Sequence, residues 1–262
     1  MKKRIYIFLI VVLLLLVLLK VFIFIKNINI FKNYNDFVVE GDTIVKYYGS
    51  GNVVIPEVID GIVIKKIGDN AFNGLEIDNV VIPETIVSIG DYAFSNNNLK
   101  YLKIPESVLE IGEGSFMNNS LSKIEMSSNI SLSSACFNNN LLDLEEAFFY
   151  KDEYKKELIS YGGKIKGNVV LEEGVEIIGE RAFLDTGIVS INISNSVYEI
   201  KNEAFKGNNL VEIFIPNSVS LIASDCFLDN NYLVDLHIEK NENTILNYPW
   251  GLNNSNINWI KK

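Results

Sequence analysis

Histidine occurs once and cysteine twice in the 262-residue chain, so most parts used to assemble catalytic and metal sites are missing. Two cysteines cannot staple a disulfide scaffold, and a zinc site needs clustered ligands that a lone His237 does not have. Basic charge is also short. The 23 Lys and Arg face 33 Asp and Glu, a formal charge of −10 that gives nucleic-acid binding no electrostatic support. The motifs G-x-S-x-G, G-x-G-x-x-G and the P-loop do not occur. Gly112-Glu113-Gly114-Ser115 shares a register with other Ile-Gly pairs and reads as a turn. Adjacent carboxylates such as Glu145-Glu146 and Glu172-Glu173 read as solvated loop charges. No cofactor or metal is expected, and the chain reads as non-catalytic.

Small residues are missing from one further place. Residues 5–36 contain no Ala, Gly or Ser, which removes the small-residue site at which a secretion signal is cut, and no Cys follows to carry a lipid. What stands there is "IYIFLIVVLLLLVLLKVFIFI", residues 5–25, broken only by Lys20. That length spans a bilayer as one helix, with Lys20 near an end where its stem can snorkel. The expectation is a transmembrane signal anchor at 5–25. Lys2, Lys3 and Arg4 mark residues 1–4 as cytoplasmic, residues 26–36 serve as a tether, and the rest lies outside the cytoplasm.

A repeat organises that remainder. A small residue followed by Phe recurs as Ala71-Phe72, Ala93-Phe94, Ser115-Phe116, Cys136-Phe137, Ala182-Phe183, Ala204-Phe205 and Cys226-Phe227. The Phe spacing is 22 or 21 residues, with one gap of 46 between Phe137 and Phe183. Short alternating strands come before each Phe, as in "YLKIP" (101–105) and "EIFIP" (212–216), and polar turns such as "SNNN" follow it. The unit is L-x-x-I-x-I-P-x-x-V-x-x-I-x-x-x-A-F-x-x-N-x. One unit cannot bury its own apolar face, so successive units must stack as a solenoid, with parallel strands ~4.8 Å apart and Phe and Ile inside. Cys136 and Cys226 fall in the small-residue slot four coils apart, ~19 Å by strand spacing, so they read as packing residues and cannot pair.

This unit resembles the BspA-like (Treponema-type) leucine-rich repeat of bacterial surface proteins over about residues 53–240. The resemblance implies a repeat solenoid, a leucine-rich-repeat right-handed coil with a parallel strand ladder, displayed outside the cell for adhesion or protein binding. The chain departs from the family in its Asn-rich turns and in lacking Pro after Met126, Ile193 and Ile238.

The expected organisation is a first sub-array with its N-terminal cap at 37–144, an irregular insertion at 145–167, a second sub-array at 168–240 and a C-terminal cap at 241–262. A short hairpin is expected around Phe148–Ile159, and Trp250 and Trp259 are expected to close the array. Strand alternation points Tyr101, Lys103, Lys123, Glu125, Asn192, Glu212, Phe214, Asp235 and His237 outward. Of these, Tyr101, Lys103, Lys123, Glu125, Glu212, Phe214, Asp235 and His237 are the candidate ligand-binding residues. The expected partner is a protein or glycan at the cell surface, with the membrane engaged through 5–25 and no nucleic acid involved. A structural scaffold for envelope partners is the alternative.

Overall fold

Each period folds into two short strands and a tight turn, because short stretches of alternating apolar residues are separated by turns in which single residues take left-handed backbone. The computed structural model describes residues 36–239, 250–252 and 256–260. The proposed anchor at 5–25, nearly all of the tether and much of the C-terminal cap lie outside the described residues. Among the described residues no helix is long and apolar enough to cross a membrane.

Within residues 38–262 most of the strands form two parallel ladders, while Val58–Ile59 and Ile62–Val63 pair antiparallel. The short ladder joins Thr43–Tyr47, Lys66–Ile67, Ser88–Ile89, Glu110–Ile111 and Ser131–Leu132. Ile89 pairs with Ile67 and Ile111 pairs with Ile89, so the 22-residue spacing places like residue over like residue. The long ladder carries the outward alternation, with Gly51–Val54 on Ile77–Val81 and Tyr101–Lys103 on Lys123–Glu125. In the second half it runs Val169–Val170, Ile191–Asn192, Glu212–Ile215, Asp235–Ile238 and Asn256–Trp259.

The rings form a column through the interior. Phe72, Phe94, Phe116 and Phe137 stack at centroid distances of 4.7, 5.2 and 5.7 Å, and Phe183, Phe205 and Phe227 at 5.2 and 5.7 Å. All are essentially fully buried. Tyr47 begins the column 5.1 Å from Phe72, and Trp250 is buried at the other end, where its carbonyl accepts the Phe227 N–H. Removing one ring should cost about 3–5 kcal/mol.

Two local devices make the turn possible. The second residue after each Phe is left-handed, with φ of 58° at Asn96, 55° at Asn118 and 53° at Asp185, and every such position is Gly, Asn or Asp. The Gly of each Ile-Gly pair answers a different need. A Cβ on Gly90 would lie 2.7 Å from the Asp69 nitrogen and 2.8 Å from the Gly68 carbonyl carbon, so the previous coil leaves no room for one.

The polar turn residues do more than reverse the chain. The Asn three positions after Phe is not a solvated turn residue. Asn97, Asn119, Asn140, Asn208 and Asn230 are all buried. Asn119 donates to the carbonyls of Phe94 and Phe116 at 2.9 and 3.1 Å and accepts from the Leu99 N–H at 3.1 Å. One amide therefore ties its own turn to the coil before it. Thr186 holds this place in the fifth Phe coil and donates to the Phe183 carbonyl.

The 46-residue gap is filled by a change of strand direction. Phe148–Tyr150 runs antiparallel to Glu157–Tyr161, which in turn pairs in parallel with Ile177–Ile178. Phe149 packs 4.4 Å from Phe137 and Tyr161 packs 5.3 Å from Phe183, so aromatic packing continues on both sides of the hairpin. Fully buried Asn138 closes the turn side. It accepts from Ser160 Oγ and the Tyr161 N–H at 2.7 and 3.0 Å and donates to the Arg181 and Leu184 carbonyls at 3.0 and 2.9 Å.

Two substitutions test this accounting. Asn119→Ala orphans buried backbone groups in two coils and is expected to cost about 2–4 kcal/mol in urea denaturation. Asn119→Asp aims a carboxylate at two carbonyls and should be worse at neutral pH than at low pH. Asn138→Ala strips four groups at the hairpin, and scanning calorimetry should then resolve two unfolding transitions where the native chain shows one, because coils couple only to their neighbours.

Candidate functional site

Alternation along the long ladder sends every second side chain outward, and two clusters of the candidate residues form there. The first lies on the paired strands Tyr101–Lys103 and Lys123–Glu125, where Tyr101 sits opposite Lys123 and Lys103 opposite Glu125. The Tyr101 hydroxyl donates to Glu125 Oε2 at 2.8 Å, Lys123 Nζ lies 2.6 Å from Glu125 Oε1, and the same ammonium stands 5.9 Å from the centre of the Tyr101 ring. The bonds from Lys123 and then Tyr101 lower the Glu125 carboxyl, and the bond to Glu125 raises the Tyr101 hydroxyl. All three groups are solvated, so they hold a shape more than they store energy. Beside them is an open recess of about 280 Å³ lined by Val80, Val81, Ile82, Glu84, Tyr101, Lys103 and Pro105.

The second cluster is on Glu212–Ile215 and Asp235–Ile238, whose register sets Glu212 beside Asp235 and Phe214 beside His237. Phe214 is 51% exposed, and the His237 ring stacks on it at 4.4 Å with planes 10° apart. His237 Nε2 lies 4.0 Å from Glu212 Oε2, and Asn258 Nδ2 donates to Asp235 Oδ1 at 3.0 Å. The structure thus gathers the eight candidates into two groups of four: Tyr101, Lys103, Lys123 and Glu125, then Glu212, Phe214, Asp235 and His237. Along the chain the two groups lie on either side of the hairpin.

Sequence reasoning missed a third cluster, on the turn side. Arg181 bonds Glu113 and Glu203, each at 2.6 Å, and Lys206 bonds Glu203 at 2.7 Å. Tyr92 donates to Glu113, and burial, with that bond, pushes its hydroxyl up to about 12. Glu113 and Arg181 are 68 positions apart, so no local pattern links them. The one available signal was scarcity, since the only other arginine is Arg4. Every charge in this cluster meets an opposite charge, which makes it a clasp across the hairpin and leaves no reactive group.

The thiols are equally unreactive. Burial pushes the Cys136 thiol up to about 12 and the Cys226 thiol well above its usual range, far from the thiolate a nucleophile requires. Among the described residues no group of three or more His, Cys, Asp or Glu is placed to hold a metal ion.

Comparison with known proteins agrees with the coil. Six copies of the BspA type leucine rich repeat region match residues 56–155 and 160–261. A leucine-rich repeat protein from Eubacterium ventriosum superimposes with a TM-score of 0.58 at 18% identity, covering 83% of this chain. This chain spans 62% of that protein's length, and the likeness is one of fold. The pneumococcal vaccine antigen PcpA (TM-score 0.46, 17% identity, 86% of this chain and 85% of that one) and a leucine-rich repeat protein from Bacteroides ovatus (0.45, 22%, 86% and 62%) are further matches. No curated protein matches the chain.

The clasp has a pH signature. Lys206 and then Arg181 hold the Glu203 carboxyl below its usual range. A carboxyl depressed in the fold contributes stability that is present above its unfolded pKa and lost as pH falls through the folded one. Glu203→Gln should therefore cost about 1–3 kcal/mol at neutral pH, with the difference from the native chain beginning to shrink only as pH falls below about 4 in urea denaturation.

Proposed function

The chain belongs to the BspA-type leucine-rich-repeat family, and from that premise we propose that it is a membrane-anchored, non-catalytic binding protein that holds a protein or glycan ligand at the cell surface. The observation that carries this reading is the placement of Tyr101 and Phe214, two large rings 42% and 51% exposed, on the outward face of a ladder whose inward face is mostly aliphatic. Exposed aromatics set among hydrogen-bonding groups are the usual anchors of an interface. Repeat ladders offer such rings a continuous surface on which each coil contributes its own side chains.

In this reading residues 5–25 cross the membrane, 26–36 act as the tether, and the repeats stand outside the cytoplasm. The apolar length and the missing cleavage residues support that arrangement. The insertion at 145–167 joins two sub-arrays that present different chemistry, Tyr with Lys and Glu on the first and Phe with His and carboxylates on the second.

Pull-down from host-matrix and envelope extracts with the detergent-solubilised full chain tests the reading. The chain is expected to retain a partner, and the combined variant Tyr101→Ala, Glu212→Ala, Phe214→Ala and His237→Ala is expected to lose at least about tenfold in affinity. Since all four side chains lie outside the core, circular dichroism should show an unchanged fold. Undiminished capture by that variant sinks the proposal.

A further inference from the structure

Residues 168–239 contain 12 Asp and Glu against 3 Lys and Arg, a formal −9 out of the chain's −10. The three cations are already engaged elsewhere. Arg181 and Lys206 lie in the turn-side clasp, and Lys201 bonds Glu157 at 2.6 Å on the short ladder. Among the described residues of 168–239, no Lys or Arg stands on the outward face of the long ladder. That face carries Glu212 and Asp235 around the exposed Phe214 ring.

The two sides of that ring differ. His237, one coil on, covers one side by stacking. One coil back the register partner is Asn192, a small side chain, and the space it leaves is a recess of about 220 Å³. Asn192, Ile193, Asn195, Phe214, Pro216 and Glu239 line it. This is smaller than the usual small-molecule pocket of roughly 300–1,000 Å³ and suits one long side chain. At the opposite end of these strands stands an apolar ledge of Val189, Val211 and Val234, at 40, 50 and 53% exposure. Backbone bonds from Val211 to Val189 and from Val234 to Val211 make these three one continuous column.

We infer that the outward face of the second sub-array docks a basic, extended segment of a partner protein, with a Lys or Arg side chain seated in the recess against the Phe214 ring. A cation over an aromatic face is attracted by the ring quadrupole, and the surrounding carboxylates concentrate positive charge at the same spot. The valine column takes the aliphatic stems that such side chains bring with them. A second copy of this chain fits poorly, because it would set one acidic face against another.

The inference rests on the strand face being the binding surface. Its test uses the full chain in detergent, the peptide Arg-Thr-Arg-Thr-Arg-Thr and its Glu-for-Arg counterpart, followed by amide chemical shifts and titration. The Arg peptide is expected to bind with shifts centred on Asn192, Phe214 and His237. Affinity should fall about tenfold in Phe214→Ala and in Asn192→Phe, which fills the recess while keeping the ring. It should also fall in 0.5 M salt and stay unchanged in Tyr154→Ala, an exposed ring on the hairpin. Equal binding of the Glu peptide, indifference to both variants, shifts centred on the turn side, or self-association of the chain through this face would each overturn it. If the Arg peptide fails while the four-residue variant still abolishes partner capture, this inference alone falls. If that variant captures normally, the wider reading falls with it.

Discussion

A buried amide that reaches two coils at once is the bond on which the rest of this molecule depends. Coils with a 22-residue period stack only if the backbone groups of their turns find partners, since water cannot reach them. An Asn three residues after five of the seven rings supplies two donors and an acceptor in the right places, at Asn97, Asn119, Asn140, Asn208 and Asn230. With the turns tied, the rings fall into a column and the short strands into register. The long strands are then free to differ from coil to coil on their outward side.

Most of the coil could be read from the sequence, and the reason is geometric. A fixed period forces equivalent residues into equivalent places, so the Phe column, the Ile-Gly pairs and the strand positions follow from spacing alone. The outward set followed from alternation, which is why Tyr101, Lys123, Glu125, Glu212 and Phe214 were all found on the solvent side. The buried Asn residues appeared in the repeat only as turn residues, with no environment assigned to them. Asn is common in exposed turns, and only the close approach of the next coil, invisible in a sequence, encloses it. Gly90 and Gly112 misled, since their constraint comes from the preceding coil and not from the turn they occupy.

The hairpin was expected around Phe148–Ile159 and lies there, but its register and packing were not legible. Its antiparallel pairing of Phe148–Tyr150 with Glu157–Tyr161, and the two rings it lends to the aromatic packing, depend on contacts that no repeat template contains. The Arg181 clasp was out of reach for the same reason. Its partners come from coils on either side of the interruption, and their meeting is a product of the fold. Exceptions to a periodic pattern can be located in a sequence, whereas their solutions have to be seen.

That interruption has a mechanical side. Coils joined end to end carry load in series, so any force along the axis passes undiminished through every junction, and the weakest one sets the strength of the whole. The junction at the hairpin is where the parallel pairing of the short ladder stops at Ser131–Leu132 and restarts at Glu157–Tyr161. It is also where four hydrogen bonds converge on one asparagine and an arginine bridges two carboxylates. Reinforcement is concentrated at the single place where a pulled array would otherwise part.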